Sequence, residues 1–161
     1  MLEAIATTFA LDVPKIALLV LPAAAPVKGV LEELHELGIH VQSLGLEDED
    51  RGKYELMRST LKKFKPQPKA GAHEGEGEEP SLLVTTEASI RGLDLPELTH
   101  VFVAKVPESE VDYDHVAGRV GRFGREGKVI LFVEWKEKTR AAELYDRLQI
   151  SLAQFEHVPV Q

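Results

Sequence analysis

The chain has 161 residues, of which 43% are hydrophobic and 29% are charged, and this balance predicts one globular domain. It contains no cysteine, which excludes disulfides and thiolate chemistry, and it has no apolar run near the about 20 residues that a membrane-spanning helix needs. The net charge of −8 argues against broad, non-specific nucleic-acid binding, although basic residues gather at 58–69 and 119–128.

The first half of the chain alternates apolar runs with amphipathic segments. Residues 15–22 form a continuous apolar run, which predicts a strand buried on both faces. Residues 27–37 have helical spacing and a glycine after them, where helices often end. Residues 39–44 are predicted to be a strand, and residues 53–65 a helix that the next proline terminates.

Two segments are predicted to lie outside this alternation. Residues 1–14 lack a basic start and a long apolar run, so we expect no signal peptide there, and no helix or strand is predicted. Residues 66–80 are polar and rich in glycine and glutamate. They have no apolar stripe, which predicts a disordered surface loop.

The second half continues the alternation. Residues 82–85, 99–103 and 128–133 are predicted to be strands, and residues 109–120 and 136–148 helices, the first with Ser109 as N-cap. About five strands alternating with helices predict an α/β fold with an open, mainly parallel sheet and helices on both faces. Ligands bind at the carboxyl ends of strands in such folds, so we expect residues 86–94 and 108–125 to face one crevice.

The first chemically informative stretch, TTEASIRGLD, follows the strand at 82–85. Thr85 and Thr86 offer hydroxyls, and Gly92 permits a tight turn or a close backbone approach. Asp94 could accept a ribose hydroxyl, and Arg91 could pair with a carboxylate or a phosphate. The competing interpretation is a strand–turn–strand connection in which Arg91 and Asp94 form a surface ion pair.

The second stretch, GRVGRFGREG, repeats glycine and arginine every three residues. Arg119, Arg122 and Arg125 could converge on a polyphosphate, because the planar guanidinium binds phosphate oxygens bidentately. It is not a Walker loop, since no Gly-Lys-Ser/Thr follows. A flexible charged loop and a disordered arginine–glycine tract that binds RNA are the alternatives.

Together, in this order and spacing, the two stretches resemble motifs of the second RecA-like domain of DEAD-box and related RNA helicases. The first family motif reads threonine–aspartate, three residues, arginine–glycine–x–aspartate, and residues 86–94 match it with Glu87 in place of the aspartate. The second reads histidine–arginine–x–glycine–arginine–x–glycine–arginine, and residues 118–125 match it with Gly118 in place of the histidine. The resemblance implies a RecA-like three-layer fold of about five or six strands over residues 1–161.

The resemblance also implies roles for individual residues. Arg122 and Arg125 would be arginine fingers for the γ-phosphate of ATP, while Asp94 and Gly92 would lie at the ATP ribose. The implied RNA contacts are Thr85, Thr86 and Arg58. The implied coupling residues between motifs and lobes are Arg91, Arg119 and Gly118.

The groups that cradle phosphates and hold Mg²⁺ in such ATPases are missing, since the chain has neither a Gly-Lys-Ser/Thr loop nor an Asp-Glu-Ala-Asp sequence. We therefore expect the C-terminal half of a longer, intracellular helicase that is inactive as an ATPase alone. The resemblance implies ATP with Mg²⁺ held by an N-terminal RecA-like lobe of the same protein, and RNA as partner. No metal site within this chain and no membrane contact are expected.

Two other functions compete with this interpretation. Gly118 and the acidic surface would suit a non-catalytic helicase-like adaptor, or an RNA-binding scaffold that has lost ATP coupling. A lobe of a DNA-directed helicase from the wider superfamily is the third hypothesis. Trp135 and Phe132 are predicted to pack in the core or at its edge rather than to stack on bases.

Overall fold

The computed structural model describes residues 1–44, 81–90, 95, 98–121, 124 and 126–153. The helices in these ranges are α1 (Leu2–Asp12), α2 (Val27–Glu36), α3 (Glu110–Ala117) and α4 (Lys138–Leu148), and a 3₁₀ turn spans Trp135–Glu137. The strands are β1 (Ile16–Leu21), β2 (Val41–Ser43), β3 (Ser81–Thr86), β4 (His100–Val103) and β5 (Lys128–Leu131).

The five described strands form one parallel sheet in the order β2-β3-β1-β4-β5. The central strand β1 is buried along its whole length, as its continuous apolar sequence predicts. It pairs with β3 through Ile16 opposite Ser81, and with β4 through Ala17 opposite His100. The predicted open parallel sheet is confirmed.

Helices cover both faces of the sheet, and each face has its own core. On one face α1 and α2 bury Ile5, Phe9 and Leu34 against alternate strand residues such as Leu19 and Phe102. On the other face Val116 of α3 packs against the intervening residues, such as Leu18. The helix α4 adds Ala141 and Leu144 against Val106, with Leu131 at the edge of that cluster. The three-layer arrangement is therefore confirmed.

Three sequence predictions need correction. Residues 2–12 form a helix that was not predicted, and this helix buries two side chains spaced four apart, Ile5 and Phe9. The predicted buried strand at 128–133 is a shorter, half-exposed edge strand, because β5 has a neighbour on one side only within the described sheet. Trp135 does not pack in the core, since it is 82% exposed.

Other predictions hold in detail. Ser109 caps α3 by accepting a hydrogen bond from the backbone N–H of Asp112 at 3.1 Å. Phe132 packs edge-to-face on Phe102, with ring centroids 5.9 Å apart.

The predicted helix at 53–65 and the predicted loop at 66–80 lie outside the described residues. No described helix is both long enough and apolar enough to cross a membrane.

Candidate functional site

Thr85 lies inside the protein rather than at its surface. Its side chain is fully buried, and its hydroxyl donates to the carbonyl oxygen of Leu44 at 3.0 Å. The bond links the end of β3 to the residue that follows β2. This hydroxyl therefore links β3 to the end of β2. The RNA contact expected of Thr85 stays a prediction.

Thr86 is the last residue of β3 and begins a closely hydrogen-bonded turn. Its carbonyl oxygen accepts from the backbone N–H groups of Ser89 and Ile90, both at 3.0 Å. Its hydroxyl donates to the Ser89 hydroxyl at 3.3 Å, and the N–H of Glu87 donates to Leu21 at the end of β1 at 2.9 Å. The predicted turn is thus confirmed at the carboxyl edge of the sheet. Its remaining residues, 91–94, lie outside the described ranges, as does Arg58.

Gly118, at the C-terminal end of α3, occupies a position with no room for a side chain. Its N–H donates to the carbonyl oxygen of Asp114 at 2.9 Å. A Cβ atom built on Gly118 would lie 2.6 Å from that same oxygen. The contact is with backbone, so any larger residue would force the helix end to move.

Arg119 follows directly and is held at the same helix end. Its Nε–H donates to the carbonyl oxygen of His115 at 2.9 Å. The imidazole of His115 is exposed on the last turn of α3, whereas Val116 beside it is buried in the core. The helix thus anchors the start of the arginine-bearing stretch through Val116 and leaves its polar residues toward solvent.

The remaining glycines of this stretch set the path of the backbone. Gly121 and Gly124 have φ values of 72° and 74°, in the left-handed region that side chains disfavour. Gly127 is needed for a different reason, because a Cβ there would lie 2.5 Å from the backbone nitrogen of Gly121. Arg122 and Arg125 lie outside the described residues.

Both stretches are reached from the carboxyl edge of the sheet, the first directly from β3 and the second through α3. β3 ends there at Thr86, and α3 begins there at Glu110, beyond the end of β4. The second stretch then runs to the opposite edge, because Gly127 directly precedes Lys128, which pairs with the first residue of β4. The expectation of a single crevice stays a prediction, since the arginines and the acid it would bring together lie outside the described ranges.

Burial is the main cause of the pKa shifts of His100, Tyr113 and Tyr145. Burial lowers the pKa of His100 at the amino edge, with Asp12 acting in the opposite direction and Lys128 reinforcing the shift. Burial also raises the pKa values of Tyr113 and Tyr145, which stack edge-to-face between α3 and α4. Among the described side chains, no three His, Asp or Glu residues are grouped so that they could hold a metal ion.

Comparison with known proteins identifies the family to which the chain belongs. The model of the helicase conserved C-terminal domain matches residues 36–124, more than half of the chain. The mitochondrial ATP-dependent RNA helicase MSS116 of Lodderomyces elongisporus is 39% identical over 74 residues, which are 45% of this chain and 10% of that protein. The chain therefore spans about a tenth of the length of that curated relative.

Solved structures with the same fold come from the same group. Domain 2 of the DEAD-box helicase Mss116p, bound to an RNA duplex, superposes with a TM-score of 0.64 at 22% identity, over 98% of this chain and 58% of that one. Dbp5 of S. cerevisiae, bound to RNA and ADP BeF3, gives 0.65 at 20% identity, over 90% and 35% of the two chains. The chain belongs to the helicase conserved C-terminal domain family, as the C-terminal RecA-like domain of a DEAD-box helicase.

Proposed function

We propose that this chain is the second RecA-like lobe of an ATP-dependent RNA helicase and that it acts together with an N-terminal lobe of the same protein. The observation that carries the proposal is the pair of motifs at 86–94 and 115–125, set on a parallel sheet of the matching family. ATP and RNA would be bound between the two lobes, and closure would bring the arginines of this lobe to the phosphates. The RNA and nucleotide named for the solved Dbp5 complex support this arrangement.

The division of labour follows from the residues that the chain lacks. A Gly-Lys-Ser/Thr loop and an acidic Mg²⁺-binding sequence are missing, so the N-terminal lobe would cradle the phosphates and hold the Mg²⁺. This lobe would add positive charge where negative charge develops during phosphoryl transfer. It would not hydrolyse ATP alone.

The RNA contacts would lie at the carboxyl edge of β3. The turn that starts at Thr86 is fixed by four hydrogen bonds, so it can present its backbone in a defined position. Contacts of this kind read phosphate and sugar rather than base sequence. Thr85, Thr86 and Arg58 remain candidates for this surface, together with the coupling residue Arg91. Because the Thr85 side chain is buried, its contact would be made by its backbone.

The second motif fits the sequence in two registers, three residues apart. Starting at residue 118, the family pattern is broken only at its histidine, by Gly118; starting at residue 115, it is broken only at its second position, by Val116. Two observations favour the second register. A Cβ at residue 118 would strike the Asp114 carbonyl oxygen, which suits a glycine position of the motif rather than a histidine position, and the family match ends at residue 124.

The choice of register decides which arginines face ATP. In the register that starts at residue 115, the motif histidine is present as His115 and the two fingers are Arg119 and Arg122. Arg125 then lies beyond the motif, whereas the register that starts at residue 118 makes Arg122 and Arg125 the pair. The registers also differ in the motif position that this chain fails to match. In the register that starts at 118 it is the histidine, and in the register that starts at 115 it is the arginine, which is replaced by the buried Val116. Asp94 and Gly92 keep their proposed place at the ribose in either register.

The deciding experiment is RNA-stimulated ATP hydrolysis by the full-length protein, measured beside this chain alone. We expect turnover in the long form and none in the isolated lobe. Absence of turnover in a long form with an intact phosphate loop would overturn the helicase proposal and leave the adaptor. Competition between single-stranded RNA and DNA of equal length, with RNA preferred, separates the proposal from a DNA-directed helicase.

A further inference from the structure

The last residues of α1 combine two features that are locally unfavourable. Asp12 places a carboxylate at the C-terminal end of the helix, where the helix dipole disfavours negative charge. Val13, which follows, has a φ of 44°, in the left-handed region that a β-branched residue avoids. Such a combination persists only when tertiary contacts hold it in place.

Those contacts come from the first residues of two strands. The ammonium group of Lys128 donates to both carboxylate oxygens of Asp12, at 2.9 and 2.8 Å. The Nε2 atom of His100 lies 3.6 Å from Asp12 Oδ2. Lys128 and His100 are partners in the β4–β5 register, so one carboxylate joins the end of α1 to the start of both strands.

Lys128 also ends the arginine-bearing stretch. Gly127, the residue before it, is packed tightly against Gly121 and Val120. A Cβ built on Gly127 would lie 2.5 Å from the Gly121 nitrogen and 2.6 Å from the Val120 Cβ. Val120 in turn packs against the core beneath α3. The contact between Gly121 and Gly127 therefore forms the base of the segment 121–127, which we call the arginine loop, and Lys128 directly follows that base.

We propose that the Asp12–Lys128 ion pair is a positioning device that fixes the base of the arginine loop, with Asp12 and Lys128 as positioning residues for catalysis. This inference rests on the proposed function for its effect on ATP turnover. In this proposal neither Asp12 nor Lys128 contacts ATP or RNA. Breaking the pair would let the start of β5 and Gly127 shift. Arg122, the finger that this loop carries in both registers, would then be displaced from the phosphates, and a displacement of about 1 Å is enough to slow an enzyme severely.

The test compares Lys128→Met with Lys136→Met in the full-length protein. Both substitutions remove an ion-paired lysine near an end of β5, but Lys136 pairs with Glu134 beyond the far end of the strand. We expect Lys128→Met to lower kcat for RNA-stimulated ATP hydrolysis about threefold or more, with KM for ATP unchanged, since a displaced arginine affects the transition state rather than binding. Lys136→Met should leave both constants unchanged.

Two further variants separate positioning from mere structural support. Asp12→Glu keeps the charge and should restore most of the rate lost in Asp12→Ala. The charge-exchanged double variant, Asp12→Lys with Lys128→Asp, should recover part of the rate that each single variant loses. Loss of kcat without recovery in either variant, or a kcat unchanged in Lys128→Met, would overturn the inference.

Hydrogen exchange on this chain tests the same inference without activity. Peptides covering residues 118–131 should exchange faster in Asp12→Ala and Lys128→Met than in the wild type, while peptides from α2 keep their rates. Unchanged exchange at 118–131 would refute the positioning role even if the rate fell. If the full-length wild type shows no RNA-stimulated turnover, the proposed function fails, and the exchange rates still decide whether the ion pair fixes the loop.

Discussion

Gly127 lies against Gly121 across the base of the arginine loop, with the position of a Cβ at residue 127 only 2.5 Å from the Gly121 nitrogen. The two glycines serve different purposes. Gly121 needs its freedom for a φ of 72°, whereas Gly127 needs its lack of a side chain to allow the contact. A repeat that resembles a uniform phosphate-binding tract in the sequence is therefore built from positions with separate structural requirements.

The first prediction concerns Gly127→Ala. The added methyl group would overlap backbone, so the base of the loop must open, and we expect roughly 1–3 kcal/mol of lost stability together with a lower kcat for ATP. The control is Gly29→Ala in α2, where nothing lies within 4 Å and the substitution should stabilise by about 0.5–1 kcal/mol. Urea denaturation measures both changes, and a neutral Gly127→Ala would contradict the packing.

A second prediction uses the three arginines to decide the motif register. Arg122→Ala should lower ATP turnover by about 10³-fold or more, because Arg122 is a finger in both registers. Arg119→Ala should do the same if the motif starts at residue 115, and Arg125→Ala if it starts at residue 118. ATP binding, measured by titration calorimetry, should survive better than turnover, and unchanged turnover in all three variants would defeat the finger assignment.

Gly118→His gives the third prediction. This variant supplies the histidine that one register lacks, yet its Cβ would meet the Asp114 carbonyl oxygen at 2.6 Å. We expect lower stability by roughly 1–3 kcal/mol and no gain in RNA-stimulated turnover. His115→Ala should instead leave stability nearly unchanged, since the side chain is exposed, and should weaken RNA stimulation. An activated Gly118→His enzyme would favour the register that starts at 118.

The fourth prediction concerns the strained residue at the end of α1. Val13→Gly should raise the free energy of unfolding by about 0.5–1 kcal/mol, because glycine adopts a φ of 44° without the clash that valine suffers. Leu11→Gly is a matched control: it is also an exposed apolar residue of this segment, but it lies within the helix, where glycine costs about 1 kcal/mol. Destabilisation by both substitutions would show that Val13 makes contacts worth more than its strain.

The fifth prediction is a pH dependence of stability that arises from His100. Burial lowers its pKa in the folded protein below the ordinary value of 6.5, despite the opposing effect of Asp12. The folded state therefore favours the neutral imidazole, and its contribution to stability is fully present above pH 6.5 and is lost as the pH falls through the folded pKa. His100→Gln should flatten the decline in stability below pH 6.5. His35→Gln, at an exposed histidine, should leave that decline unchanged. An unaltered pH profile in His100→Gln would contradict the assignment.

The central strand and the main helices follow directly from the sequence. A continuous apolar run such as that around Leu18 can be buried only between two layers, and the Ser109 cap marks a helix start by local chemistry alone. The helix α1 escaped prediction because its polar face is interrupted by apolar residues. The signal that could have revealed it is the four-residue spacing of Ile5 and Phe9, the two side chains that it buries.

Features that depend on the position of an element in the sheet could not be predicted. Trp135 was expected in the core because large aromatic residues usually are, but it follows an edge strand and is exposed there. The motif register could not be predicted for a different reason. The arginine–glycine repeat matches the family pattern equally well at 115 and at 118, so the residue pattern alone does not distinguish the two registers, whereas the backbone contact at Gly118 does.

The pairing of β1 also governs how the chain can fold during synthesis. Its partners in the sheet, β3 and β4, begin at Ser81 and His100, so β1 must wait until more than sixty further residues have been made. At about 5–20 residues per second that wait lasts several seconds, with six consecutive apolar residues unpaired. The nascent chain therefore passes through a stage in which this apolar segment has no strand partner, and folding should be slow and sensitive to chaperones.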